Sequence, residues 1–164
     1  VAVVGYGDIG RQTAKRIIAC GSKVIAYDPQ FAPAAGIPVV HEAWPNRIGE
    51  ADFIIFTCPL NSATRHMFNQ ALLAKLKSGV RVVNVSRGPV VEERALLMGL
   101  QSGVVHSAAL DVFEIEPMTP DSPLRKYDRC IFGSHNGSNS VDAVRRVSRL
   151  AIEKIDRLLR SAAR

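Results

Sequence analysis

The chain opens on an apolar run, Val1-Ala2-Val3-Val4, that breaks at once into Gly5-Tyr6-Gly7-Asp8-Ile9-Gly10. Three glycines at this spacing, between a strand-like run and a helix-like one, admit few folds. The first permits a tight turn, the second lets the backbone approach a pyrophosphate, and the third lets helix and strand pack closely. From Ile9 to Cys20 the helical period places Ile9, Ala14, Ile17 and Ile18 on one side. The first amides of such a helix face an anion. Alone the motif is weak, and the strand before it and helix after it supply the context it needs.

The same alternation continues along the chain. Strands are expected at residues 23–27, 39–40, 52–56, 80–85, 104–110 and 130–132, after the first at 1–5. Helices are expected from an Asn69 cap through Leu76, from Val91 to Gln101, and from Asn139 to the last residue, 164. Val141, Val144, Val147, Ala151, Ile155, Leu158 and Ala162 form an apolar stripe on the last of these. Strands alternating with helices imply right-handed crossovers. The expected fold is α/β, a Rossmann doubly wound parallel sheet with helices on both faces. All 164 residues read as one nucleotide-binding domain, and the start inside a strand reads as part of a longer protein.

Composition excludes several alternatives. With 47% hydrophobic and 22% charged residues, the chain can bury a real core. It holds no uninterrupted apolar stretch of about 20 residues, so no membrane partner is expected. Cys20, Cys58 and Cys130 are an odd count without CxxC spacing, which argues against a disulfide framework or a structural metal and fits a reducing cytoplasm. The net charge of +6 gathers in the last helix, at Arg145, Arg146, Arg149, Lys154, Arg157, Arg160 and Arg164. These surround an apolar stripe without interleaved aromatics, so they read as a solvated face and not as a nucleic-acid site.

Ligands of open α/β sheets bind beyond the carboxyl ends of the strands, and those ends carry chemistry here. Asp28 closes the second strand 18 residues past Gly10, near the spacing of an acid that hydrogen-bonds an adenosine ribose. A carboxylate there repels a 2′-phosphate, which favours NAD over NADP. Cys58 and Pro59 follow the fourth strand as small wall residues. Arg87 follows a Val-rich run, where a guanidinium is costly unless it meets an anion such as a carboxylate. The run "ALDVFEIEP" ends the sixth strand in Asp111, Glu114 and Glu116, and His135 stands in "GSHNGSNS" after the seventh. A histidine at a strand end can exchange a proton near neutral pH once a carboxylate orients it, and Glu116 or Asp111 could do so. His41, His66 and His106 read as ordinary surface or packing residues.

The chain resembles the NAD-binding domain of the D-isomer-specific 2-hydroxyacid dehydrogenases through "GYGDIG", "YDP", "CPLN", "NVSRGPVVEERAL", "AALDVFEIEP" and "SHNGSN". The last of these most resembles phosphoglycerate dehydrogenase-type members, which act in serine biosynthesis. The resemblance implies that Arg87 holds the substrate carboxylate and keto oxygen, that Glu116 pairs with His135, and that His135 exchanges the hydroxyl proton. It implies Asp111 on the nicotinamide carboxamide, with Val85, Ser86, Asn136, Gly137 and Ser138 around that end. Gly5, Gly7, Asp8, Ile9 and Gly10 would take the pyrophosphate, and Glu114 would be solvated.

The implied partners are a small 2-hydroxyacid, best matched by D-3-phosphoglycerate, and a substrate domain of the same chain that precedes residue 1. A homodimer is also implied, with the apolar face of the 91–101 helix and the loop around Pro117 to Pro123 as candidate contacts. Three other readings use related folds. An NAD-sensing corepressor-like module would not need Arg87, Glu116 and His135 together, a methyltransferase would need neither the Arg nor the Glu-His pair, and a formate dehydrogenase relative would place an amide where Glu116 stands.

Overall fold

The computed structural model describes residues 1–162. Seven strands form one sheet in the order β3-β2-β1-β4-β5-β6-β7, and every pairing is parallel. They are β1 Ala2–Val4, β2 Ile25–Tyr27, β3 Val40–His41, β4 Phe53–Phe56, β5 Val80–Asn84, β6 Val105–Leu110 and β7 Ile131–Phe132. The order reverses between β1 and β4, which opens a crevice above their carboxyl ends. The expected doubly wound α/β sheet is therefore the observed one.

Alternation along each strand sorts the core into two layers. Ala2 and Val4 of β1, Ile54 and Phe56 of β4, and Val80 and Val82 of β5 join one large cluster with Leu72, Ala95, Leu96 and Leu100. Those four come from helices α2 (Gln70–Leu73) and α3 (Glu93–Ser102). Val3 and Ala26 face the other way and pack with Ala14, Ile17 and Ile18 of helix α1 (Asp8–Ala19). Gly103 ends α3 in the left-handed conformation at φ 76°, where a side chain would strain the backbone.

Several boundaries differ from expectation. Asn69 caps α2 as anticipated, its side chain accepting from the Leu72 amide at 3.1 Å, but α2 stops at Leu73, three residues before Leu76. The apolar face of α3 is buried inside the domain, with Ala95, Leu96, Gly99 and Leu100 closed off. The residues of that face expected at a dimer contact pack instead against β6 and α2, while Leu97 and Met98 are only partly buried. The last helix, α4 (Val141–Ala162), begins two residues later than expected; residues 163–164, including Arg164, lie outside the described residues. Its stripe of Val144, Val147, Ile155 and Leu158 is exposed and covers no sheet face. No helix among the described residues is long and apolar enough to cross a membrane.

Leu96 is fully buried where α3 meets the sheet. Leu96→Ala is expected to cost about 2–5 kcal/mol of unfolding free energy, measured as a lowered urea midpoint with an unchanged slope.

Candidate active site at the carboxyl rim of the sheet

The adenosine side of the rim is built from β1, β2 and β4. Gly5 turns the chain at φ 91°, and a Cβ there would meet the Cys58 backbone nitrogen at 2.6 Å. A Cβ on Gly10 would collide with the Gly5 carbonyl oxygen, whereas above Gly7 there is open space within 4 Å. These are the demands of close packing and of backbone approach to a phosphate. Gly7 caps α1 without any side-chain hydrogen bond, leaving the first amides of a twelve-residue helix available to an anion. Ile9 is 60% exposed beside them.

Asp28 holds this turn from the next strand. Its carboxylate accepts from the Tyr6 amide at 2.6 Å and from the Gln30 amide at 2.8 Å. Each oxygen has a further lone pair for a ribose hydroxyl. The residues present thus fit an adenine dinucleotide. Cys58 is buried, and desolvation pushes its thiol up to about 11. It is a wall and not a nucleophile, since the thiolate is the reactive form.

The opposite half of the rim is built from β5, β6 and β7. The Arg87 guanidinium donates to the neighbouring Ser86 carbonyl at 2.6 Å and, among the described residues, forms no salt bridge. Its segment is fixed by Asn84, which is 1% exposed. The Asn84 amide donates to the Arg87 carbonyl at 3.0 Å and accepts from the Ser86 amide and hydroxyl at 3.0 and 2.8 Å. Sequence reading passed over Asn84 as a strand residue. The available signal was an amide inside a valine run, costly to bury unless fully paired.

Asp111 ties down the loop that bears the histidine. Its carbonyl accepts from the His135 amide at 2.8 Å, and its carboxylate accepts from the Asn136 and Gly137 amides at 3.2 and 2.9 Å. A side chain on Gly133 would strike that carboxylate. His135 itself sits at φ 57°, a conformation stored where the surroundings impose it.

Glu116 Oε2 lies 2.7 Å from His135 Nδ1, while its other oxygen accepts from the Phe113 amide at 3.0 Å. The hydrogen bond with His135, then the one from Phe113, hold the Glu116 carboxyl below the usual carboxylate range, with Arg87 a smaller cause. An ionised carboxylate only accepts, so Nδ1 carries the proton facing it. Nε2 is left for proton exchange with a ligand. A cavity of about 510 Å³ opens beside the pair, lined by Phe113, Met118, Arg125, Phe132 and Ser134 among others; Arg87 is not among its walls.

Glu114 is not solvated as expected. Its carboxylate meets His66 Nε2 at 2.7 Å and accepts from the Glu93 amide at 3.0 Å, while Glu93 accepts from the Glu114 amide at 2.8 Å. His66 therefore has a charged partner and is more than a packing residue. The reason is tertiary: 48 residues separate His66 from Glu114, and only the fold brings them together.

Comparison with known proteins places the chain in a family. The profile of the D-isomer specific 2-hydroxyacid dehydrogenase NAD-binding domain matches residues 1–137, and the chain belongs to that family. It is 40% identical over 157 residues to a hydroxypyruvate reductase of Thermotoga maritima, spanning 94% of this chain and 51% of the relative. A D-3-phosphoglycerate dehydrogenase of Methanocaldococcus jannaschii is 36% identical over 165 residues, 98% of this chain and 31% of the relative. A crystal structure of a D-isomer specific 2-hydroxyacid dehydrogenase from Xanthobacter autotrophicus Py2 with NADPH and MES superposes with a TM-score of 0.88 at 32% identity, covering 98% and 66% of the two chains. The chain spans about half or less of the length of these curated relatives.

The lowered pKa of Glu116 sets a pH signature. Its contribution to stability is complete above the ordinary glutamate value of about 4.3 and is lost as pH falls through the lower folded value. Carbon-detected NMR titration is expected to show Glu116 titrating below ordinary glutamates, and His135→Ala to move it back upward.

Proposed function

We propose that this domain serves an NAD-dependent oxidoreductase that moves a hydride between a D-2-hydroxyacid and the nicotinamide. The single observation that carries the reading is the 2.7 Å Glu116–His135 pair on the same rim as the open glycine turn and Arg87, which forms no salt bridge among the described residues. Bound NAD supplies the hydride chemistry, and the protein's part is to position the reactants and manage one proton and one carboxylate.

Arg87 binds the substrate carboxylate through two parallel hydrogen bonds and orients the carbon that reacts. His135, held by Glu116 at Nδ1, takes the hydroxyl proton at Nε2 during oxidation and returns it during reduction. Glu116 remains ionised and keeps the ring in one tautomer. Asp111 reaches the nicotinamide carboxamide with lone pairs not taken by Asn136 and Gly137, and Val85, Ser86 and Ser138 line that end. Asp28 takes the adenosine ribose and disfavours a 2′-phosphate.

Within the class, D-3-phosphoglycerate is the first choice, supported by the "SHNGSN" stretch and by the phosphoglycerate dehydrogenase relatives. Hydroxypyruvate is the second, supported by the 40% identical reductase. A homodimer and a cytoplasmic location belong to the same reading.

The test is a panel of D-3-phosphoglycerate, hydroxypyruvate, glyoxylate and D-lactate on the full-length protein with NAD or NADH. One acid is expected to stand out, and His135→Ala to lower its kcat by about 10²–10⁴-fold. Absence of turnover with every acid, while NADH still binds, would favour the NAD-sensing reading. Residues 1–164 alone are expected to bind NAD weakly and not turn over, so oxidation of D-3-phosphoglycerate by them would contradict the division of labour. Asp28→Asn keeps hydrogen-bonding capacity but removes the charge, and is expected to narrow the preference for NADH over NADPH by about tenfold or more.

A further inference from the structure

The loop that delivers Glu116 has little backbone to hold it. Among the described residues, 112–117 make no backbone–backbone hydrogen bond outside the helices and strands. What fixes the loop is a set of side-chain carboxylates. Glu116 takes the Phe113 amide, Glu93 takes the Glu114 amide, and Glu114 takes the Glu93 amide. The reciprocal Glu93–Glu114 bonds bind the loop to the first turn of α3, where the partial positive charge of the helix favours a carboxylate.

The same loop packs on the segment that carries Arg87. A Cβ on Gly88 would overlap the Phe113 carbonyl group and come within 2.6 Å of the Glu114 nitrogen, so the two backbones are in direct contact. A third segment closes the arrangement. The His66 ring meets Glu114 at 2.7 Å, and its amide donates to the Pro89 carbonyl at 2.8 Å. Phe68 continues the strip by donating to Val90 and accepting from Glu92. His66 is itself held at φ 51°, and Asn69 donates to its carbonyl at 2.9 Å. Glu114 thus touches both segments that border the Arg87 stretch, and it stands two residues before Glu116.

We propose that Glu114, braced by His66, is a positioning residue that fixes the spacing between Arg87 and the Glu116–His135 pair. The inference rests on the dehydrogenase reading above and deepens it. Without the Glu114 carboxylate the loop loses its bonds to the Glu93 amide and to His66 and keeps one tie to α3, from its own amide to the Glu93 carboxylate. Glu116 and Arg87 then shift relative to each other, and a misplacement of about 1 Å can cost up to about a hundredfold in rate. The adenosine side, built on β1, β2 and β4, is untouched.

The test uses the full-length protein with the panel acid of highest kcat/KM and NADH. Glu114→Ala is expected to raise KM for the acid by about tenfold and lower kcat, while the Kd for NADH stays within about twofold. His66→Ala is expected to move both constants in the same direction by less, and the double variant to match Glu114→Ala because the two act as one unit. Glu114→Gln keeps an oxygen for the Glu93 amide and an NH₂ for His66, and is expected to restore most of the loss. Wild-type constants in Glu114→Ala would overturn the proposal, as would a fall in NADH binding and in thermal midpoint proportional to the lost turnover, which marks a purely structural role. Should Glu114→Ala not fold, the His66→Ala and Glu114→Gln pair decides by the same split. Arg87→Ala and His135→Ala run beside them: if these keep full turnover the dehydrogenase reading fails, whereas if only Glu114→Ala keeps it the positioning role alone fails.

Discussion

All seven strands run the same way, so every carboxyl end faces one rim, and the grouping of the candidate site residues depends on that alignment. A parallel sheet needs crossovers, and each crossover returns the chain to the far edge before the next strand begins. Polar side chains separated by tens of residues are thereby delivered to one line of loops. The strand order divides the line. Glycines, Asp28 and Cys58 stand at the side of β1, β2 and β4, and Arg87, Asp111, Glu116 and His135 at the side of β5, β6 and β7.

Within that frame, the β5–β7 side of the rim is held by acids acting as acceptors. Asp111 binds the amides of the loop after β7, Glu116 binds an amide of its own loop as well as His135, and Glu93 and Glu114 exchange amide bonds with each other. Hydrogen bonds from backbone N–H to a carboxylate are stronger than neutral ones. They also suit a surface that must be irregular, because a loop aimed at a ligand cannot satisfy its amides in a ladder. Burial raises the pKa of Glu93, whereas the hydrogen bonds of Glu116 lower its own. Neighbouring carboxyls in one loop system are thus set apart by environment.

Much of this was legible in the residues. The glycine spacing, the apolar strands and the Asn69 cap fixed the fold class and most elements to within two residues, because turn chemistry and side-chain period act locally. The strand ends named Asp28, Arg87, Glu116 and His135 as residues out of place in a core. Asn84 was hidden because a buried amide inside a strand looks like any other strand position until its partners are known. The apolar stripe of α4 was visible, but what a stripe packs against is not a local property. The face of α3 was likewise visible and was assigned to a partner, while the fold uses it internally.

The sequence by itself determined a parallel α/β sheet, a glycine turn that opens a helix and a set of polar residues stranded at strand ends, since each follows from spacing along the chain. Only the tertiary structure decided which of the three acids in "ALDVFEIEP" meets the histidine, which binds the neighbouring loop and which braces a helix. Those assignments depend on directions in space: successive residues of an irregular loop point to different neighbours, and the neighbours come from segments far away in the chain.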